Sequence, residues 1–240
     1  MIVTYWGVRG SVPVPGPGTV RYGGNTSCVT VRRGDSLLVI DAGTGIVPLG
    51  DRMDPEIAEV LLLLSHRHMD HVQGLPFFAP LYESGPPVAL LDVRVEGGWW
   101  SPLELFDGVA VPMRPERLGA AVRRVEGDPM EALRRHGWEV ERLALRHPGG
   151  SAGFLVREGA RAFAHLTDTD LGGASDDAEF FRSCVDFCRG VDVLSHDAQY
   201  RAAEMPSRRG RGHSSVERVC DLAEAAGVGR LVLFHHDPGR

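Results

Sequence analysis

The sequence contains no lysine: all 26 basic residues among its 240 are arginine. A lysine nucleophile and a lysine Schiff base are therefore excluded. Acidic residues outnumber basic ones, and the formal net charge is −6. Such a chain has no general basic field to attract nucleic acid, so we expect no large nucleic acid as a partner.

Cysteine is scarce and forms no CxxC pair; the four are Cys28, Cys184, Cys188 and Cys220. Cys184 and Cys188 are four residues apart in a predicted helix and would share one face. We interpret them as small buried apolar side chains, because free cysteine is among the most buried residue types.

Long apolar runs are also missing. No run approaches the roughly 20 residues that cross a bilayer. The N-terminal MIVTYWGVRG lacks the charged region and long apolar core of a signal peptide. We therefore expect a cytoplasmic protein that does not bind membranes. The apolar content of 43% and the length predict a single folded domain over residues 1–240.

Strand and helix patterns alternate along the chain. SCVTVRRGDSLLVIDAG and GFLVREGARAFAHLTDTD predict two hairpins, which turn near Gly34 and Gly159. EVLLLLSH predicts a buried strand, DDAEFFRSCVDFCRG a helix, and SSVERVCDLAEAAG a helix with Ser214 and Glu217 at capping-box spacing. The order favours an α/β domain with hairpins over a doubly wound parallel sheet. Residues 84–137 interrupt this alternation of strand and helix patterns, and we expect them to be the least regular part of the chain.

Five predicted strands end in a polar segment, and these segments cover residues 66–71, 147, 168, 196–197 and 235–236. Side chains gathered at one rim from distant strand ends form a site on rigid elements.

The densest segment is SHRHMDHVQG, which carries His66, His68, Asp70 and His71. His66 and His68 alternate and can face one point. Asp70 and His71 are expected in a turn, because adjacent residues of a strand point to opposite sides. Imidazole combined with carboxylate suits zinc or another transition metal.

This segment resembles the signature of the metallo-β-lactamase fold superfamily. RHPGGSAGF, HLTDTD, SHDAQY, GHSS and LVLFHHDP resemble its phosphodiesterase branch, which includes tRNA 3′-processing endonucleases and cyclic-phosphate phosphodiesterases. WGVRGSVPVPGPGTVRYGGNTSCV and IDAGTG resemble a bacterial subgroup linked to hydrolysis of cyclic nucleotides and cyclic ribose phosphates. The resemblance implies a four-layer αβ/βα sandwich, in which two mixed sheets are flanked by helices.

The resemblance also implies a binuclear centre that holds two Zn²⁺ ions, with Mn²⁺ or Fe²⁺ tolerated by the same ligand types. It assigns His66, His68 and His147 to one ion, Asp70, His71 and His235 to the other, and Asp168 to both. Asp170 is a rival for Asp168, and the TDT pattern favours Asp168. His235 and His236 compete for the last position, and the preceding LVLF favours His235, with His236 as a supporting residue at the rim.

The resemblance implies His213, Asp197 and Asp70 as catalytic residues. SHDAQ corresponds to the HEAT motif of the endonucleases and GHSS to their HST motif, where the acidic residue orients a histidine that assists the leaving group. This chain has Asp197 where that motif has the longer glutamate. His213 also precedes a predicted helix, whose N-terminal N–H groups favour phosphate.

Other polar residues have supporting or alternative interpretations. Asp41 follows a predicted strand and would either hydrogen-bond a metal-binding histidine or cap its own turn. Arg9, Asn25 and Ser151 are candidate phosphate contacts in loops. Three arginines flank the GHSS segment, and we interpret them as a solvated basic loop: Arg208, Arg209 and Arg211.

The sequence therefore predicts a zinc-dependent phosphoric diester hydrolase that opens a small cyclic phosphodiester to a monoester. One alternative is an RNA endonuclease without the tRNA-binding arm, since only 20 residues separate His147 from Asp168. The others are a thioester or lactone hydrolase and a non-catalytic protein that binds cyclic nucleotides. The family leads us to expect a homodimer.

Overall fold

The computed structural model describes residues 1–82, 85–95, 97–119, 121–172 and 178–240. The polypeptide forms two compact units, Met1–Leu133 and Arg134–Arg240. No helix within the described residues is long and apolar enough to cross a membrane.

The first unit contains a six-stranded mixed sheet and a separate two-stranded one. The strands of the unit are β1 (Ile2–Gly7), β2 (Cys28–Arg33), β3 (Ser36–Ile40), β4 (Glu59–Leu63), β5 (Val88–Leu91), β6 (Val93–Val95), β7 (Gly98–Trp100) and β8 (Val122–Val125). Its helices are α1 (Ile46–Asp51), α2 (Met69–Val72) and α3 (Pro129–Arg135), and the last two residues of α3 belong to the second unit.

The strand order in the large sheet is β1-β2-β3-β4-β5-β8, while β6 and β7 form a separate hairpin. β1, β2 and β3 pair antiparallel, and β3, β4, β5 and β8 pair parallel. β4 is central and almost continuously apolar, as expected for a parallel strand covered on both faces. Val60, Leu62 and Leu64 pack on one side of it in the main core of the unit.

The second unit contains a five-stranded mixed sheet of order β13-β12-β11-β10-β9. The strands are β9 (Glu139–Leu145), β10 (Ser151–Glu158), β11 (Arg161–Leu166), β12 (Val193–Asp197) and β13 (Arg230–Phe234). The helices are α4 (Ala178–Phe187), α5 (Met205–Arg208) and α6 (Val216–Ala226). α4 and α6 bury Cys184, Cys188 and Leu222 against Leu194 of the sheet, so these cysteines pack as small apolar residues.

The strands predicted at both hairpins, at the buried run and near the C-terminus are present, and both large sheets are mixed. Within residues 84–137, the segment expected to be the least regular, Val88–Leu91 forms a buried parallel strand that the sequence analysis did not identify. Residues 84, 96 and 120 of that segment lie outside the described residues, as do Asp176 and Asp177 of the predicted helix.

Two local predictions need correction. The turn expected at Asp70 and His71 is the single helical turn α2. The N-cap of α6 is Ser215, whose side chain accepts from the Arg218 N–H, instead of Ser214. The Glu217 carboxylate accepts from the Ala202 N–H, so it does not close a capping box.

Candidate metal centre

Parallel strands place polar residues at one edge of the second sheet. β11, β12 and β13 run parallel, so their carboxyl ends meet at the same edge. Asp168 follows β11, Asp197 ends β12 and His235 follows β13. All three side chains are buried.

Backbone strain coincides with these positions. Four described residues other than glycine have a positive φ angle: Ser11, Asp41, Asp168 and His235. Asp41, Asp168 and His235 each lie just after a parallel strand, where the chain turns sharply. Left-handed conformations in residues with a Cβ are costly and cluster at functional sites, where the surrounding structure holds them.

In the first unit, Asp41 fixes the orientation of His71. The His71 Nδ1–H donates to Asp41 Oδ2 over 2.7 Å, and the N–H and hydroxyl of Ser65 donate to Asp41 Oδ1. Ser27 adds a further hydroxyl donor at 3.0 Å. Burial alone would raise the pKa of Asp41, but the neighbouring imidazoles of His71 and His66 and these donors hold that pKa below its usual value. An ionised Asp41 therefore holds the His71 proton on Nδ1.

The remaining predicted ligands of this unit surround His71. The His66 ring centroid lies 4.2 Å from that of His71 and 4.5 Å from that of His68. Asp70 Oδ2 lies 3.4 Å from His71 Nε2 and accepts from the Ser11 N–H at 2.7 Å. Four donor groups of metal-binding type are thus held together by α2 and the segment that precedes it.

In the second unit, Asp168 is surrounded by imidazoles. Its Oδ1 lies 3.5 Å from His147 Nε2 and 4.0 Å from His213 Nδ1, and its Oδ2 lies 3.3 Å from His235 Nε2. The Thr167 hydroxyl donates to the same Oδ2 at 2.6 Å. Ligand atoms of His147, Asp168 and His213 all lie within 4.8 Å of one another.

His147 is oriented by a backbone carbonyl. Its Nδ1–H donates to the Gly212 oxygen at 2.9 Å. Gly212 has a φ of +80°, and a Cβ added there would lie 2.3 Å from His147 Nδ1. Only glycine can therefore bring this carbonyl so close to the imidazole ring.

His213 and Asp197 form a buried pair. Their Nδ1 and Oδ2 atoms lie 2.8 Å apart, so the shorter aspartate side chain is long enough for this contact. The N–H groups of Thr169 and Gln199 donate to the two Asp197 oxygens at 3.2 and 3.0 Å. The His213 ring also stacks on that of His235, with centroids 4.9 Å apart. With Nδ1 directed to Asp197, Nε2 is the nitrogen left for other chemistry.

These donors fit a divalent cation. His71 and His147 each donate Nδ1–H to an oxygen, which leaves the lone pair on Nε2. Each Nε2 then faces a carboxylate oxygen, 3.4 Å away at Asp70 and 3.5 Å away at Asp168. A lone pair and a carboxylate repel each other unless a proton or a cation lies between them, and imidazole with carboxylate is a ligand set for transition metals.

The rivals of two predicted ligands lie elsewhere. Asp170 is half-buried and accepts from the Gly172 N–H at 2.8 Å. His236 belongs to none of the metal-type groups found among the described residues, whereas His235 belongs to one with Asp197 and His213.

The three candidate phosphate contacts all have structural partners. The Arg9 side chain donates to the Gly23 oxygen at 2.9 Å. Asn25 accepts from the Thr44 hydroxyl at 3.2 Å, and the Ser151 hydroxyl donates to the Thr167 oxygen at 3.3 Å. Their contacts therefore stabilise loops around the strand ends.

Sequence patterns missed Ser65, Thr167 and Gly212. Ser65 contacts Asp41, His66 and His71 within one network. Its position directly before the His-x-His pair is the sequence signal that could have identified it as part of the site. The Gly212 carbonyl leaves no side-chain signal beyond the glycine itself.

Residues 38–236 match the family model described as the beta-lactamase superfamily domain. The chain belongs to the beta-lactamase superfamily.

Several known proteins are similar to this chain. Ribonuclease BN of Escherichia coli (strain K12) is 28% identical over 72% of this chain and 69% of its own. The crystal structure of the metallo-beta-lactamase fold protein YhfI from Bacillus subtilis matches with a TM-score of 0.70 at 20% identity, over 98% of this chain and 86% of that one. The short form of human tRNase Z matches with a TM-score of 0.65 at 21% identity, over 99% and 93%.

These matches confirm the α/β metallo-β-lactamase fold and the superfamily predicted from the motifs. The predicted enzyme class, a metal-dependent hydrolase, is confirmed at the level of the superfamily. The His/Asp clusters are compatible with divalent metal binding.

Proposed function

We propose that this protein is a binuclear zinc-dependent phosphodiesterase that hydrolyses a small cyclic phosphodiester, a cyclic nucleotide or a cyclic ribose phosphate, to a monoester. The observation that carries the proposal is the His213–Asp197 pair, held at 2.8 Å beside Asp168. Hydrolysis of a phosphodiester needs a proton for the departing oxygen, and a positioned imidazole is a suitable donor.

The proposal takes over the ligand assignment made from the resemblance. The first ion would be held by His66, His68 and His147, the second by Asp70, His71 and His235, and Asp168 would bind both. This assignment rests on the matching motifs and on the donor chemistry of each cluster. Such ions supply a nucleophilic hydroxide at neutral pH and neutralise charge on phosphoryl oxygens. Mn²⁺ and Fe²⁺ remain alternatives for Zn²⁺.

The chain's own residues would handle the proton. Asp197 accepts the Nδ1–H of His213 and so leaves Nε2 as the nitrogen for proton transfer. Nε2–H would donate to the oxygen that leaves phosphorus, and the charge on Asp197 would stabilise the imidazolium form before transfer. Ser214, the next residue, donates to the Thr169 oxygen at 2.6 Å and thereby fixes this segment to the loop after Asp168.

A second candidate is an endonuclease that acts on short RNA. The similarity to Ribonuclease BN at 28% identity favours it. The residues between His147 and Asp168 are filled by the hairpin of β10 and β11, so that stretch carries no long RNA-binding arm. We therefore place a small diester before RNA.

The test is turnover of a panel of cyclic nucleotides by protein of defined metal content, with bis(p-nitrophenyl) phosphate as a generic diester. We expect cleavage of at least one cyclic nucleotide by the native protein and none by Asp168→Ala. Cleavage of the generic diester and of short RNA only would favour the endonuclease. Cleavage of no diester would overturn the proposal and favour a thioester or lactone hydrolase or a binding protein.

Assembly and location belong to the same proposal. We propose a homodimer, and light scattering would show a mass near 26 kDa if the protein is instead a monomer. A cytoplasmic location stays a prediction.

A further inference from the structure

Ser65 lies between a carboxylate and an imidazole inside the first unit. Its hydroxyl oxygen is 2.9 and 3.0 Å from the two Asp41 oxygens and 3.0 Å from His66 Nδ1. The same oxygen is 3.4 Å from His71 Nδ1, which lies only 2.7 Å from Asp41 Oδ2. The His71 proton therefore goes directly to the carboxylate, and the close imidazole partner of Ser65 is His66.

The Asp41 carboxylate is saturated by the donors around it. It accepts from the N–H and O–H of Ser65, from the Ser27 hydroxyl and from the His71 Nδ1–H. A carboxylate offers about four lone-pair directions, and these donors occupy them. The carboxylate can thus orient His71 itself, but it can orient His66 only through another group.

The single hydroxyl proton of Ser65 determines the tautomer of His66. Its two possible acceptors are the Asp41 carboxylate and a lone pair on His66 Nδ1. Hydrogen bonds to an ionised acceptor are roughly twice as strong as those between neutral groups, so the proton goes to Asp41. The Ser65 oxygen then presents a lone pair to His66, and a contact of 3.0 Å is favourable only if Nδ1 carries a proton. The imidazole lone pair is therefore on Nε2, the nitrogen that remains for a metal.

We propose that Ser65 is a positioning residue that connects the Asp41 carboxylate to His66, so that one buried carboxylate sets the tautomer of a ligand in each of the two proposed metal sites. The inference rests on the proposed function, which assigns His66 to one ion and His71 to the other. All four side chains are at most 4% exposed, so water does not compete for these protons. Loss of the Ser65 hydroxyl should therefore weaken one ion selectively.

Ser27 provides a matched control within the same network. Its hydroxyl also donates to Asp41, at 3.0 Å, and the residue is buried. Among the contacts of the described residues, this hydroxyl bonds no imidazole. Ser27→Ala and Ser65→Ala each remove one hydroxyl donor from the same carboxylate, but only Ser65→Ala also removes the acceptor of the His66 Nδ1–H. The difference between the two variants isolates the connection to His66.

The primary experiment observes the tautomer and requires neither metal nor turnover. Long-range ¹H–¹⁵N spectra of metal-free, full-length protein above neutral pH show which ring nitrogen of each histidine carries the proton. The spectrum of His66→Gln identifies the His66 signals. We expect the Nδ1–H tautomer of His66 in the native protein and in Ser27→Ala. In Ser65→Ala we expect the proton to be distributed over both nitrogens, because Nδ1 has lost its acceptor.

A second measurement compares the affinities of the two ions by competition with a chelator on the zinc-loaded protein. Ser65→Ala should weaken one ion by about 10- to 100-fold, the range for residues that hydrogen-bond a metal ligand, and leave the other close to native. Ser27→Ala should leave both ions close to native. Circular dichroism shows whether each variant is folded.

A native His66 tautomer in Ser65→Ala would overturn the inference. Equal changes in Ser65→Ala and Ser27→Ala would also overturn it, since both hydroxyls would then act only through Asp41. Equal weakening of both ions in Ser65→Ala would have the same meaning.

The proposed function is judged separately, by turnover of the cyclic substrates. A tautomer change confined to Ser65→Ala supports the role of Ser65 even if no diester is cleaved. Diester cleavage by the native protein, together with a native tautomer in Ser65→Ala, refutes this role and leaves the phosphodiesterase intact.

Discussion

The two units supply predicted ligands in different ways. In the first, His66, His68, Asp70 and His71 come from six consecutive residues after a single strand. In the second, the ligands come from segments after β9, β11 and β13. The first cluster depends on one helical turn, whereas the second depends on the correct pairing of a whole sheet. A sequence therefore reveals the first cluster directly and the second only through resemblance.

The units also differ in what surrounds the metal-type residues. In the first unit, the carboxylate of Asp41 orients His71. In the second, a backbone carbonyl orients His147, and the Asp197 carboxylate orients His213 as Asp41 orients His71. Under the proposed function, the first unit would hold metal, and the second would combine metal binding with proton transfer.

The largest effect is expected for Asp168→Ala. Three imidazoles lie within 4.0 Å of this carboxylate, so its removal leaves them without the anionic ligand between them. We expect loss of bound metal and a fall in diester turnover of more than about a hundredfold. That loss would exceed the roughly 10- to 100-fold typical of residues that only hydrogen-bond a metal ligand. Elemental analysis and a turnover assay on one preparation measure both.

Asp170→Ala is the control for that prediction. Asp170 bonds the Gly172 N–H and lies in none of the metal-type groups of the described residues. Metal content and turnover should stay close to native. Equal damage in both variants would show that the loop, and not the Asp168 carboxylate, is what matters.

Asp41→Asn tests how the first unit orients its histidine. An amide lacks the charge that holds the proton on His71 Nδ1, so Nε2 would be less available as a ligand. We expect metal affinity to fall by about 10- to 100-fold. Titration against a competing chelator measures it, with Asp54→Asn as the control, since the half-buried Asp54 pairs with Arg32 instead of a histidine. Native affinity in Asp41→Asn would contradict the role of this contact.

Gly212→Ala tests the corresponding contact in the second unit, and Gly210→Ala is its match. Both glycines have a positive φ, +80° and +75°, but only at Gly212 does a Cβ meet another atom within 4 Å, the imidazole of His147 among them. Both variants should lose about 1–2 kcal/mol of unfolding free energy from the backbone conformation. Only Gly212→Ala should also lose metal affinity. Chemical denaturation and chelator competition separate the two effects, and equal metal affinity in both variants would refute the contact.

The smallest effect is expected for Ser215→Ala. This serine caps α6 by accepting from the Arg218 N–H at 3.2 Å, so its loss should cost about 1 kcal/mol of stability with native metal content. Ser214→Ala should in addition lower turnover, because Ser214 bonds the Thr169 oxygen and the Leu171 N–H near Asp168. Identical turnover in the two variants would show that the contacts of Ser214 near Asp168 do not affect catalysis.

Several strands and turns could be predicted from the sequence alone, because they depend on residues that are neighbours in the chain. The hairpins at Gly34 and Gly159 follow from turn residues between apolar alternations, and β4 follows from a continuous apolar run. β5 was missed because four apolar residues between proline-rich and glycine-rich segments give too short a signal. The α6 cap was misplaced by one residue, since Ser214 and Ser215 are chemically identical candidates.

The site was predictable where it is contiguous and where its side chains match a known pattern. The roles of Ser65 and the Gly212 carbonyl depend on contacts between elements far apart in sequence, or on backbone atoms that every residue shares. Such contacts leave no periodicity to detect. The positive φ angles at Asp41, Asp168 and His235 are likewise consequences of the folded strand ends.

The most direct test of this account is His213→Ala, with metal content and diester turnover measured on the same preparation. A ligand atom of His213 lies within 4.8 Å of those of His147 and Asp168, and within 4.8 Å of those of Asp197 and His235, so metal content in the variant distinguishes a metal ligand from a proton donor. As a proton donor, its loss should lower turnover by roughly 10²–10⁴-fold with native metal content. Loss of metal from the variant, or turnover equal to the native protein, would contradict the division between metal binding and proton transfer.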